Sequence, residues 1–186
     1  DMHGFNRLGG NSVAETVVAG MIVGEFIADF CDKAENGIDI PTSLIYGALA
    51  KEEARLKSFM NNGGSENAYE IRTRMQEIMT TKIGIFRKGA DMESAVAELE
   101  ELYKRSFKVS VKDVVGPNPE LIYAYRTQKM LRVALSVAYG ALNRKESRGA
   151  HYREDFPVRN DIEWLNRTIA TWKEGDTLPT LNYEKL

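Results

Sequence analysis

The chain has 186 residues, 43% of them hydrophobic and 28% charged, with a formal net charge of −2. That length suits one domain, or one domain and a piece of another, with a real core, and the near-neutral charge leaves no electrostatic case for nucleic acid or an anionic membrane surface. One cysteine, Cys31, excludes an internal disulfide and a multi-cysteine metal or iron–sulfur site.

The first stretch, His3-Gly4-Phe5-Asn6-Arg7-Leu8-Gly9-Gly10-Asn11-Ser12, places three glycines just ahead of an apolar run. Ser12 and Glu15 have the spacing of a capping box, which predicts a helix from Val13. A glycine-rich turn feeding a helix N-terminus offers N–H groups and the positive end of a dipole. Arg7 adds a planar cationic fork that suits a carboxylate or phosphate. These residues predict an anion or cofactor cradle; the alternative is a surface loop with a solvated Arg7.

Val13 to about Lys33 reads as one helix, apolar around most of its girth and therefore buried in a larger domain. Glu15, Glu25 and Asp29 argue against a membrane span. Cys31 reads as a small core residue, and Asn36-Gly37 as the stop. Pro41 opens the next helix, with Leu44, Ile45, Leu49, Leu56 and Phe59 on its core face. Asn61-Asn62-Gly63-Gly64 is a break. Ser65 is the expected cap of a helix with Ala68, Ile71, Met75, Ile78 and Met79 inward. Ile83-Gly84-Ile85-Phe86 reads as a buried turn, and Lys88-Gly89 as the end of that element.

Asp91 opens a helix with Val96, Leu99, Tyr103 and Phe107 in register. After a loop over 109–118, Asn118 is the natural N-cap and Pro119 the first residue of the longest helix. That helix runs to about Lys145 on a stripe of Leu121, Leu131, Leu135, Ala138 and Leu142, widened by Met130, Ala134 and Val137. Asp161 to Lys173 predicts one more short helix, and the tail from Gly175 an extended loop. Helices at roughly 65–80, 91–108 and 119–145 with short connections predict an antiparallel bundle. Strand patterning is nearly absent, and there is no G-x-G-x-x-G after a strand, so a complete dinucleotide-binding fold is not expected.

Arg148, His151, Arg153 and Asp155 form a second constellation of four ionisable groups within eight residues. They read either as a surface loop of alternating charges in salt bridges or as a tie between this loop and a neighbouring domain. With no serine or cysteine nucleophile beside it, the His-Asp pair is not a triad. Two distant histidines do not make a metal site.

The first stretch resembles the substrate and flavin loop of the fumarate reductase/succinate dehydrogenase flavoprotein family. Glu146-Ser147-Arg148-Gly149-Ala150-His151-x-Arg153-x-Asp155 resembles the same family's C-terminal signature. The similarity covers the whole chain, in the family's order, and looks closest to bacterial quinol:fumarate reductases. It implies a mainly α chain: an antiparallel helical bundle, the family's C-terminal domain, preceded by the last loop and helix of an α/β FAD-binding domain. The divisions expected are 1–35 for the FAD-domain remnant, 36–64 for a connecting helix, 65–160 for the bundle, and 161–186 for a short helix and tail.

The resemblance further implies that Arg7 holds one carboxylate of fumarate or succinate. It sets Asn11, Ser12 and Val13 against the flavin, and gives His3 a loop-positioning role. Arg148, His151, Arg153 and Asp155 would pack near the active site without a chemical step. The parent subunit would use FAD to reduce fumarate by hydride transfer in anaerobic respiration. Its electrons would come from quinol through an iron–sulfur subunit and a membrane quinone-binding subunit, at the cytoplasmic face of the bacterial inner membrane. The chain alone would lack FAD and activity, and would form a dimer or larger oligomer through 13–31. Succinate dehydrogenase, the reverse direction, stays open. L-Aspartate oxidase is disfavoured by Gly9-Gly10, and a non-enzymatic helical docking module is the reading from another class.

Overall fold

The computed structural model describes residues 9–34, 40–112 and 114–186. The chain is mainly helical and divides into two compact units, Asp1–Ala50 and Lys51–Leu186. In the first, α1 (Asn11–Lys33) starts two residues before the expected Val13. Its N-cap is Gly10, so Ser12 lies inside the helix and not at the cap. The helix stops at Ala34, whose N–H donates to the Phe30 carbonyl; Asn36-Gly37 lies outside the described residues.

No residue of α1 is buried in this chain, and Phe26 and Phe30 are each 71% exposed. Cys31 is likewise exposed, so among the described residues neither the helix nor this thiol is part of a core, and the burial expected for both would have to come from the larger domain. Among the described residues no helix is long and apolar enough to cross a membrane. The next helix, α2 (Thr42–Lys57), also buries no residue. Leu44, Ile45 and Leu49 face solvent, contrary to the expected core face, while Phe59, just past its end, is buried.

In the second unit, α3 (Ala68–Lys82), α4 (Gly89–Ser106) and α5 (Pro119–Asn143) pack on one another. Ile71, Met75 and Ile78 meet Met92, Val96 and Leu99 and, from α5, Leu131, Leu135 and Ala138 in one core. The 3.6-residue period placed these side chains on facing stripes; Phe107 and Val137, at the stripe edges, are exposed. Asn67, not Ser65, caps α3, its side chain accepting from the Tyr69 amide. Asn118 caps α5 by accepting from the Leu121 amide at 3.1 Å, with Pro119 next. Gly89 opens α4 instead of ending the element before it.

Three strand features correct the sequence reading. Phe86–Arg87 is β1, exposed at Phe86, and pairs in parallel with β2 (Tyr152–Arg153). The segment expected as one helix over 161–173 is a single turn, α6 (Asp161–Trp164), followed by β3 (Asn166–Thr171). The tail holds β4 (Thr180–Lys185), antiparallel to β3 from Asn166↔Lys185 to Thr171↔Thr180. Ile162, Leu165, Ile169 and Trp172 do fall at helical spacing. Thr168, Ile169 and Thr171 are β-branched, however, and prefer the pleated ribbon once a partner strand is available.

Candidate functional site

Both sequence candidates begin at helix ends. At the first, Gly10 has φ +82°, the left-handed region in which a side chain would be strained. Its carbonyl accepts from the Val13 and Ala14 amides at 3.1 and 3.3 Å. Among the described residues, a Cβ at Gly9 or Gly10 would meet nothing within 4 Å. Asn11 and Val13 lie exposed in the first turn, with Ser12 between them partly covered. His3 and Arg7 lie outside the described residues.

The second candidate is a built cluster at the ends of α3, α4 and α5. Arg153 is only 2% exposed, so it is not a solvated surface charge. Its Nη1 donates to the carbonyls of Ala141, Leu142 and Arg144 at 3.2, 2.8 and 3.2 Å. These carbonyls end α5 and have no partner further along the helix. The other edge of the guanidinium donates to both oxygens of Asp155, at 2.7 and 2.6 Å. Arg153 first, and the Gly89 amide among the smaller causes, hold the Asp155 carboxyl below its usual range against the cost of burial.

A Cβ on Gly89 would stand 2.8 Å from the Asp155 carboxylate, so the glycine admits the anion to the start of α4. One ion pair thus puts a cation at the C-terminus of α5 and an anion at the N-terminus of α4, each at the dipole end that favours it.

His151 sits half-buried beside this pair. Its Nδ1 is 2.6 Å from Arg87 Nη1, and its Nε2 is 3.2 Å from the Arg144 carbonyl. Because arginine only donates, Nδ1 must accept and Nε2–H must donate, so the ring is neutral. Burial lowers the His151 pKa, and the charges on Arg87, Arg153 and Arg144 lower it further, against the hydrogen bond to the Arg144 carbonyl. Arg87 in turn donates to the Gly84 carbonyl at 2.7 Å and to the Ile83 carbonyl, closing the end of α3.

Glu146, wholly buried, anchors the other side. It accepts from Arg144 at 2.6 Å, from Arg148 at 2.8 and 3.2 Å, and from the Asn160 amide at 2.8 Å. Burial alone would raise its pKa; the hydrogen bonds from Arg148, the Asn160 amide and Arg144 outweigh that and hold the carboxyl low. Arg148 also donates to Asp161, which Arg159 and Arg148 hold down to about 2. Arg144 reaches on to the Trp164 and Asn166 carbonyls at 3.0 and 2.8 Å, tying the β3–β4 hairpin to the end of α5.

The structure therefore brings Arg148, His151, Arg153 and Asp155 together, with every hydrogen bond described for this cluster closing within the second unit. Sequence reasoning did not assign Arg87, Arg144, Glu146 or Asp161. The alternation Arg144, Glu146, Arg148 was the available signal; nothing local marks Arg87, which joins through strand pairing. None of these groups forms a nucleophile–base pair, and among the described residues no cluster of His, Cys, Asp and Glu fits a metal ion. The cluster is built to hold a loop in place.

The profile of the family described as "Fumarate reductase flavoprotein C-term" matches residues 72–186. The fumarate reductase flavoprotein subunit of Helicobacter pylori is 50% identical over 188 residues, covering 100% of this chain and 26% of that protein. The succinate dehydrogenase flavoprotein subunit of Bacillus subtilis is 33% identical over 98% of this chain and 32% of that protein. A solved quinol–fumarate reductase with menaquinol molecules matches with a TM-score of 0.83 and 36% identity, over 98% of this chain and 31% of that one. The chain thus spans 26% of the length of the Helicobacter relative. By both its profile and its relatives, it belongs to the fumarate reductase/succinate dehydrogenase flavoprotein family and carries that family's C-terminal domain.

Proposed function

We propose that these residues serve a fumarate reductase flavoprotein subunit that binds FAD and reduces fumarate to succinate. Electrons would arrive from quinol through an iron–sulfur subunit and a membrane quinone-binding subunit, with the flavoprotein peripheral at the cytoplasmic face of the bacterial inner membrane. The observation that carries this reading is the 50% identity to a fumarate reductase subunit along the whole chain, the glycine turn and the 146–155 loop included. The relationship to a succinate dehydrogenase subunit supports the same site run in reverse. Residues 1–35 would belong to the FAD-binding domain, 36–64 would connect, and 65–160 would form an antiparallel bundle followed by the 161–186 segment.

The residues present fit one edge of a flavin: among the described residues nothing stands within 4 Å of a Cβ at Gly9 or Gly10, and α1 begins there. When bound, FAD supplies the hydride. Asn11, Ser12 and Val13 set the positive end of the α1 dipole where negative charge accumulates, without reorganisation. Arg7 grips one substrate carboxylate with two parallel hydrogen bonds, fixing both charge and orientation, and His3 positions the loop. The cluster from Arg144 to Asp161 holds the helix ends rigid. By itself the chain would carry neither FAD nor activity.

The test is Arg7→Ala in the complete protein. Loss of a charge-assisted pair in a desolvated site costs about 2–5 kcal/mol, on the order of a 30-fold or greater fall in kcat/KM, with flavin content unchanged. Arg7→Lys should restore little, since a point charge lacks the fork. Near-normal fumarate reduction by Arg7→Ala would overturn the assignment.

A further inference from the structure

Away from the 144–161 cluster, a cleft of about 480 Å³ lies within the second unit, lined by Lys51 and Arg55 at its start, the end of α4, α5 and the segment after β3. That volume lies within the range of small-molecule sites. One wall is aromatic: Tyr103 meets Trp172 edge-on at 5.9 Å and Phe107 at 5.1 Å. Trp172 is fixed, its Nε1–H donating to Ser136 Oγ at 2.9 Å. Phe107 is 57% exposed although it is a large apolar ring.

The other wall is cationic. Lys51, Arg55, Arg132 and Lys173 line the cleft against only two acids, Glu174 and Asp176. Both acids are committed. Glu174 accepts from Lys51 at 2.8 Å, and Asp176 accepts from the Lys173 backbone amide at 2.8 Å, closing a turn. Arg55 has Glu52 at 3.5 Å. Arg132 instead rests over the Trp172 ring at 4.7 Å. Among the described residues, neither the Arg132 guanidinium nor the Lys173 ammonium has a carboxylate partner. Two unneutralised cations from different elements thus converge on a cleft with exposed aromatic surface. Such a wall suits a flat apolar body, and such cations suit an anionic group.

We propose that this cleft binds a planar organic anion, an aromatic or conjugated ring bearing a phosphate or carboxylate. Its anionic group sits on Arg132 and Lys173, and its ring lies against Phe107 and Tyr103. Occupation cross-links α5 to the segment following β3, so it slows opening of residues 172–177. The cleft shares no residue with the glycine turn, and the proposal does not depend on the assigned reaction.

The experiment titrates the complete protein with naphthyl phosphate, naphthoate and inorganic phosphate, by calorimetry and by amide hydrogen exchange. At least one naphthyl anion should bind with a Kd of about 1 mM or tighter and protect residues 172–177 and the end of α4. Which of the two binds more tightly identifies the anionic group. Inorganic phosphate should bind at least about 10-fold more weakly, a loss of roughly 1.4 kcal/mol. Lys173→Gln, an exposed change that leaves the core intact, and Arg132→Gln should each weaken the better ligand about 10-fold. Failure of both naphthyl anions to bind below about 10 mM would overturn the proposal. So would protection confined to other residues, phosphate binding as tightly as the ring-bearing ions, or affinity unchanged in Lys173→Gln.

Discussion

Replacing Arg153 by alanine is the sharpest test of the cluster that joins α4 to α5. The guanidinium makes five hydrogen bonds, three to carbonyls at the end of α5 and two to Asp155. Alanine leaves the Ala141 and Leu142 carbonyls without this donor; the Arg144 carbonyl keeps His151 Nε2 at 3.2 Å. Asp155, whose side chain is 38% exposed, regains some water. Removing one partner of a buried ion pair costs about 3–5 kcal/mol. At about 2–4 °C per kcal/mol for a unit of this size, the thermal midpoint should fall by roughly 6–20 °C. Arg153→Lys should recover a minor part, because one ammonium cannot span both the carbonyls and the carboxylate. Arg159→Ala breaks an exposed pair, 60% and 49% accessible, and serves as the control that should hardly move the midpoint. Melts followed by circular dichroism would decide the matter. A drop under about 3 °C for Arg153→Ala would refute the view that this residue holds the helix ends together.

Three further outcomes follow from the same structure. The His151 pKa is lowered in the fold from an ordinary value of 6.5. The unfolded chain therefore binds more protons as pH falls below about 6.5, and stability should decline there by at most about 1.4 kcal/mol per pH unit. Denaturant midpoints of the protein and of His151→Gln between pH 5 and 7 would show it, and equal slopes would contradict the neutral ring. Asn118→Ala removes the cap of α5 and should cost about 1 kcal/mol in urea unfolding; no change would mean that the 3.1 Å contact contributes nothing. In the 186-residue chain, the exposed Val17, Val18, Met21, Ile22, Phe26 and Phe30 of α1 should drive self-association, since each large apolar side chain left in water forgoes about 1.5–3 kcal/mol. Light scattering should find an oligomer, and a monomer for a version beginning near Asp39; a monomeric long form would remove the prediction.

Much of the helical core was legible in the residues alone. The stripes of α3, α4 and α5, and the Asn118-Pro119 start, are local: a period of 3.6 residues and a cap side chain act within one or two turns. The family signature at 146–155 was equally legible, and with it the four ionisable groups. Their arrangement was not. Arg153 reads in sequence as one more charge in a polar loop, and only the convergence of two helix ends turns it into a buried clamp. Arg87 enters because β1 pairs with β2, Arg87 with Arg153, 66 positions further on, a contact that no local window on the chain contains. The β3–β4 hairpin was missed for a related reason. Its apolar residues keep a helical spacing by coincidence, and the strand state gains its hydrogen bonds only when Thr180–Lys185 returns alongside. The apolar girth of α1 was plain from its residues, but whether that surface is covered depends on what packs against it, and among the described residues none of it is buried. Local periodicity and capping thus determined which segments coil, and long-range closure decided which charges meet and which apolar faces stay bare, because those free energies arise only when distant segments come together.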